Sequence, residues 1–204
     1  MSLLLIGLAP AVSADSLSVC YNYNCLAEAE VNYGAEQLTR VRDLLGVARN
    51  AAEERERLSL AIGWLLGWAG EQTPISADRG GNFADDGVFG RMDCIDHSTT
   101  TTRLLRLLEN HRWLSFHRVL EPVRRVLYLF EVHYSAQIEE IESLTTASAL
   151  AAAPARYVVD SWFRDNGRPA VVMALPSWLD GQGWEESGVS VVAGGLGDGS
   201  PIEH

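Results

Sequence analysis

Gly90-Arg91-Met92-Asp93-Cys94-Ile95-Asp96-His97 is the stretch from which the fold reads outward. A glycine-containing loop ends at Asp93, and Thr101, Leu104, Leu105, Leu107 and Leu108 then recur at the spacing of one helix face. The pattern predicts a helix with Cys94 in its first turn. There the unpaired amide hydrogens and the positive end of the helix dipole favour a negative charge. A thiol so placed drops from about 8.5 to between about 3.5 and 7.5. The expectation is a thiolate populated at neutral pH, in a position suited to a nucleophile.

A thiol nucleophile needs a base and a group to orient that base. Two downstream segments read as strands. Leu127 to Ile138 is rich in aromatic and branched residues and contains His133, and it follows a short run, Leu114 to Leu120, that can pair with it. Arg156 to Phe163 has the same character, contains Asp160, and stops at the turn signal Asp165-Asn166-Gly167. On adjacent antiparallel strands a carboxylate can hold one imidazole nitrogen while the other faces the thiol. Asp165 is a rival acid, and His97, three residues after Cys94, is a rival base that otherwise reads as a helix-surface or pocket-rim residue. His111 and His117 carry no motif and read as surface residues.

The residues so assembled resemble the transglutaminase-like fold of papain-type cysteine enzymes, and within it the bacterial transglutaminase-like cysteine peptidases. Gly90 to Asp96 is similar to the Gly-Asp-Cys-x-Asp segment that opens the family's nucleophile helix. His133 stands on a strand 39 residues later, and Val158-Val159-Asp160-Ser161-Trp162, 27 residues further on, is similar to the family's acid-bearing strand end. The likeness spans roughly residues 35 to 180. Met92 and Ser161 depart from it, where glycine and proline are common, and leave the three reactive residues untouched. The resemblance implies an α+β fold with a papain/transglutaminase-like core, in which a helical N-terminal half packs the nucleophile helix on an antiparallel sheet. It also implies a catalytic triad of Cys94, His133 and Asp160 that acts on a peptide or protein substrate.

Acyl transfer also needs donors for the developing oxyanion. The Cys94 amide, at a helix start, supplies one. Gln72 and Asn82 are the side-chain candidates for the second. Asp85, Asp86, Asp93 and Asp96 form an acidic group around the nucleophile that can be read either as solvated acids or as oxygen ligands for calcium; no other cofactor is expected. No Gly-x-Ser-x-Gly elbow occurs, so a serine hydrolase of that type is excluded.

The 204 residues, 47% of them hydrophobic, suffice for one compact domain. A formal charge of −11 argues against non-specific nucleic-acid binding. The arginines between Arg118 and Arg125 are interrupted by Glu121 and Pro122 and read as a solvated strand edge or turn. No run of about twenty apolar residues predicts a membrane span. Residues 1–14 read as a signal peptide, with the apolar core Leu3 to Ala9 and a small-x-small site at Ala11 to Ala14, although no basic stretch precedes it. With Cys20 and Cys25 close together, this predicts an exported, periplasmic or secreted chain and an N-terminal arm over 15–34 closed by a Cys20–Cys25 disulfide.

The remainder divides into a catalytic domain over 35–187 and a Gly-rich tail over 188–204. Helices are expected over Ala35 to Arg49 and Ala51 to Gly70, the second with an exposed charged start at Glu53 to Arg57. Thr73 to Gly90 reads as a loop walling a cleft. Two alternatives stay open: a non-catalytic periplasmic peptide-binding or adaptor module on the same fold, and an acyltransferase using the same triad. Oligomeric state is not legible.

Overall fold

The computed structural model describes residues 13–81, 85–128, 131–141 and 153–183. The signal-peptide reading of residues 1–14 falls almost wholly outside them. Asn82, the Ala-rich stretch up to residue 152 and the tail from residue 188 lie outside as well.

The chain is α+β. It opens with a hairpin, β1 (Asp15–Tyr21) and β2 (Ala27–Tyr33), followed by α1 (Ala35–Gly46) and α2 (Ala51–Gly70). A 3-10 turn over Pro74–Ala77 leads through a loop to α3 (Cys94–Asn110). The chain then lays down β3 (His117–Leu127), β4 (Glu131–Glu140), β5 (Arg156–Asp160) and β6 (Val171–Ala174), and α4 (Leu175–Leu179) is the last helix of the described residues. The four later strands form one antiparallel sheet in sequential order, β3-β4-β5-β6, so each strand lies beside its neighbour in the chain. The expected arm is a two-stranded sheet in its own right, with β1 and β2 paired along their whole length.

Strand alternation divides the sheet's two faces. Ala136 and Ile138 of β4, Val119 of β3 and Val159 of β5 join Leu58, Ile62 and Leu65 of α2 and Leu104, Leu105 and Leu108 of α3 in the main core. On the opposite face Val158 and Val171 meet Trp162, Phe163 and Trp178, which form a smaller aromatic cluster. Burying a large apolar side chain contributes roughly 1.5–3 kcal/mol, so the main core dominates stability and the aromatic cluster closes one end of the sheet.

Polar burial departs from the sequence expectation at three places. Glu54, in the supposedly exposed start of α2, is buried. Its carboxylate accepts the amides of Ser115 and Phe116 and a bond from His117 Nδ1 at 2.7 Å, fixing the chain where β3 begins. His117 is therefore not a surface residue. Arg125, in the segment read as a solvated edge, is buried with its guanidinium over Trp178 and donates to the Trp178 and Gln182 carbonyls. A side chain's polarity does not reveal such burial, because it depends on partners distant in the chain.

Candidate active site

α3 begins at Cys94 because Asp93 caps it. The Asp93 carboxylate accepts the Ile95 and Asp96 amides at 3.0 and 2.9 Å, and Asp96 returns a bond to the Asp93 amide, which satisfies donors that a helix start leaves unpaired. The approach to the cap is tight. Gly90 has φ +90°, and a Cβ there would collide with the Pro74 carbonyl, so only glycine fits both the backbone and the space.

The Cys94 thiol sits where the sheet runs out. β5 pairs with β4 only over Ala136 to Glu139, so the backbone of Val132 and Tyr134 extends past the last pair. Cys94 Sγ is 4.0 Å from the Val132 carbonyl oxygen, and the Tyr134 amide hydrogen-bonds the sulfur. The thiol therefore rests against the backbone on both sides of His133. It also packs against the cluster of Val158, Trp162, Phe163, Val171 and Trp178.

His133 is buried among the same aromatic residues, its ring centroid 4.8 Å from Trp162, 5.5 Å from Phe163 and 5.6 Å from Trp178. Its Nε2 lies 2.8 Å from Asp160 Oδ2. A carboxylate accepting from Nε2–H fixes the tautomer in which Nδ1 carries the lone pair. Asp160 is held in turn: the Trp178 indole donates to Oδ2 at 2.9 Å and the Trp162 amide to Oδ1 at 3.2 Å. Burial alone would raise this carboxyl. The charge and hydrogen bond of His133, with the Trp178 bond, outweigh that and hold it below its ordinary value.

The thiol contradicts the sequence-based expectation. Burial pushes it up to about 11, the negative charges of Asp93 and Asp160 act in the same direction, and the Tyr134 and Cys94 amides only partly offset them. Desolvation by the aromatic cluster outweighs the helix dipole, whose contribution is at most about 2 kcal/mol. These effects favour the neutral thiol over the thiolate near neutral pH.

The structure separates the rival residues. Asp165 does not meet His133; its Oδ1 accepts the Gly80 amide at 3.0 Å and its other oxygen faces Arg79. His97 is not at a rim but buried. Its Nδ1 is 2.8 Å from Ser161 Oγ, which also meets Thr101 Oγ1, and its Nε2 is 3.0 Å from Asp78 Oδ2 at an angle too oblique for a hydrogen bond. Burial disfavours its charge, but the Asp78 carboxylate prevails and the imidazole is raised above its ordinary value. Both ring nitrogens are engaged away from the thiol. His111, by contrast, is partly exposed, paired with Asp15 and stacked on Trp113.

Of the oxyanion candidates, Asn82 lies outside the described residues. Gln72 is engaged elsewhere: its side chain accepts the Asn32 amide and donates to the carbonyls of Asn32 and Trp68. The Cys94 amide remains the donor in place. The acids proposed for calcium are likewise occupied. Asp93 and Asp96 accept backbone amides, Asp85 accepts from Tyr23 Oη at 2.6 Å and pairs with Arg91 at 2.8 Å, and Asp86 is exposed. Among the described residues these four do not converge as ligands, and the one group with metal-like spacing is Cys20, Cys25 and Glu28. The two cysteines are joined as a disulfide, as their spacing predicted.

Sequence reading did not find Trp178, the backbone of Val132 and Tyr134, or Asp78. Trp178 follows a proline in a short segment with no motif, and backbone donors leave no trace in side-chain spacing. Comparison with known proteins returns no match among family models, curated proteins or solved structures. No helix among the described residues is long and apolar enough to cross a membrane.

Proposed function

We propose that this protein is an exported cysteine hydrolase of transglutaminase-like type that cleaves an amide or peptide bond through a thioester on Cys94. One observation carries the reading: a helix-start thiol lies against the backbone flanking a buried histidine whose far nitrogen is bound to a buried carboxylate. The Cys20–Cys25 disulfide supports an oxidising compartment.

The geometry suits a nucleophile activated on demand. As Sγ attacks the substrate carbonyl carbon, its proton passes to His133 Nδ1, and Asp160 stabilises the imidazolium through Nε2. The oxyanion receives the Cys94 amide. Collapse expels the amine, which takes the proton from His133 and leaves an acyl group on the sulfur. Water then adds to the thioester with His133 as base, releasing the acid and restoring the thiol. An amine in place of water makes the same protein an acyltransferase. The non-catalytic peptide-binding alternative is favoured by one feature, the high thiol pKa, because such a sulfur is a weak nucleophile unless His133 assists it.

The test is intact-mass analysis after mixing with a panel of activated peptide esters, with and without a primary amine. The proposal expects a transient acyl adduct on Cys94 that is absent in Cys94→Ser. Loss of the adduct to water marks a hydrolase, and transfer to the amine marks a transferase. A folded wild type that acquires no adduct contradicts both and favours the binding module.

A further inference from the structure

The β1–β2 hairpin ends in an unusual turn. Asn22, Tyr23, Asn24 and Cys25 have φ of 65°, 64°, 52° and 52°, four consecutive non-glycine residues in the left-handed region. Each costs roughly 1 kcal/mol or more, so an isolated hairpin would not hold this conformation. Two features do. The Cys20–Cys25 disulfide closes the turn across its base, and its amides point at the acids that cap the nucleophile helix. Tyr23 donates to Asp96 Oδ2 at 2.8 Å, Cys25 to Asp96 Oδ1 at 2.6 Å and Asn24 to Asp93 Oδ2 at 3.0 Å. Asn22 adds a grip on the preceding loop, accepting the Gly90 amide at 2.7 Å and donating to the Arg91 carbonyl at 2.8 Å.

The left-handed run aligns successive N–H groups into one concave donor surface of the kind that binds anions. Here the anions are the two cap carboxylates on either side of Cys94. We infer that the Cys20–Cys25 disulfide is a redox-controlled positioning element for Cys94: oxidised, it holds the turn that clamps Asp93 and Asp96; reduced, it releases them and frays the first turn of α3. The significance of this clamp rests on the reading of Cys94 as the nucleophile, while its existence does not.

The surroundings also set the direction of reduction. Cys20 is fully buried and Cys25 half-buried, and Cys20 Sγ lies between Arg103 Nη1 at 3.6 Å and the Glu28 carboxylate at 3.5 Å, whose charges offset each other. A thiolate of an external dithiol reaches the Cys25 sulfur and bonds to it. The S–S bond breaks with its electron pair on Cys20, the sulfur that burial keeps from the reagent. The dithiol's second thiol then displaces Cys25 and closes into a cyclic disulfide. Two electrons and two protons pass from the dithiol, leaving Cys20 and Cys25 as thiols.

The experiment is amide hydrogen exchange by NMR on the oxidised protein and on the same protein reduced with dithiothreitol, with reduction verified by mass. Protection at Ile95 and Asp96 is expected to fall about fivefold on reduction, the size of one lost helix cap, with Val119 and Ile138 in the sheet unchanged. Asp96→Asn, which weakens the clamp from the other side, is expected to lower that protection without reduction and to blunt the further effect of reduction. Unchanged protection at Ile95 and Asp96 overturns the proposal, as does an equal loss at Ile138, which would make the disulfide a general staple. Iodoacetamide labelling of Cys94, resolved by peptide, separates the two claims. Labelling that lacks His133 dependence in the oxidised protein sinks the catalytic reading and leaves exchange to decide the clamp.

Discussion

Two buried histidine–aspartate pairs lie near the start of α3, and they differ in alignment and in what else holds them. His133–Asp160 is aligned at 2.8 Å, with Asp160 further bound by Trp178 and the Trp162 amide. His97–Asp78 is equally buried but oblique at 3.0 Å, and its remaining nitrogen is taken by Ser161. The difference lies in what the second ring nitrogen meets. His133 Nδ1 has no hydrogen bond among those the described residues show, whereas His97 Nδ1 is taken by Ser161 and its Nε2 faces Asp78. The second pair supports the first: Ser161 follows Asp160 directly, and Asp78 Oδ1 accepts the Met92 amide two residues before Cys94 at 2.9 Å. On the proposed reading the first pair moves a proton, and the second holds the two chain segments that carry Cys94 and Asp160.

Substitution separates these roles. His133→Ala is expected to cut the rate of Cys94 acylation per folded molecule by about 10²–10⁴, the range for loss of a general base, as read by intact mass. His97→Ala is expected to act on stability instead. It strands Asp78 as a buried carboxylate and costs about 3 kcal/mol or more in urea unfolding, while acylation per folded molecule changes far less than with His133→Ala. If His97→Ala matches the kinetic loss of His133→Ala at unchanged stability, the roles assigned to the two pairs are reversed.

Asp160→Asn is expected to lower acylation about as far as His133→Ala, because the amide can donate to Nε2 and favour the tautomer that carries its proton on Nδ1. Its stability difference from wild type narrows on acidification. The native pKa of Asp160 lies below its ordinary value of 3.8, so the ionised carboxylate stabilises the fold above that range and the benefit is lost as pH falls through the native value.

The last prediction concerns Asp96, which burial and the neighbouring Asp93 charge push up to about 6 against an ordinary 3.8. Here the sign reverses: the native state binds the proton more tightly, so wild-type stability falls relative to Asp96→Asn as pH rises from about 4 to about 6. Chemical unfolding of both proteins across that window checks it, and parallel curves would contradict it.

The sequence disclosed local chemistry better than burial. The acidic residue ahead of Cys94, Cys94 in the first helical turn and the whole of α2 follow from short-range patterns, whereas β5 ends at Asp160, three residues short of the strand read over Arg156 to Phe163. The thiol's environment did not follow, because it depends on Trp162, Phe163 and Trp178 converging on a residue far upstream. Glu54, His97, His117 and Arg125 were misplaced for the same reason, each being buried against partners distant in the chain. The left-handed turn left one usable signal. Asn22 and Asn24 are residue types that tolerate positive φ, although the amides' targets, Asp93 and Asp96, lie about seventy residues away.

The central claim is that Cys94 and His133 act as a unit, and the most direct measurement is the rate of Cys94 alkylation by iodoacetamide against pH in wild type and His133→Ala. The account predicts a His133-dependent component near neutral pH, lost in the variant, on top of a steep rise toward pH 11 that both proteins share as the buried thiol ionises. Superimposable profiles at every pH would contradict it.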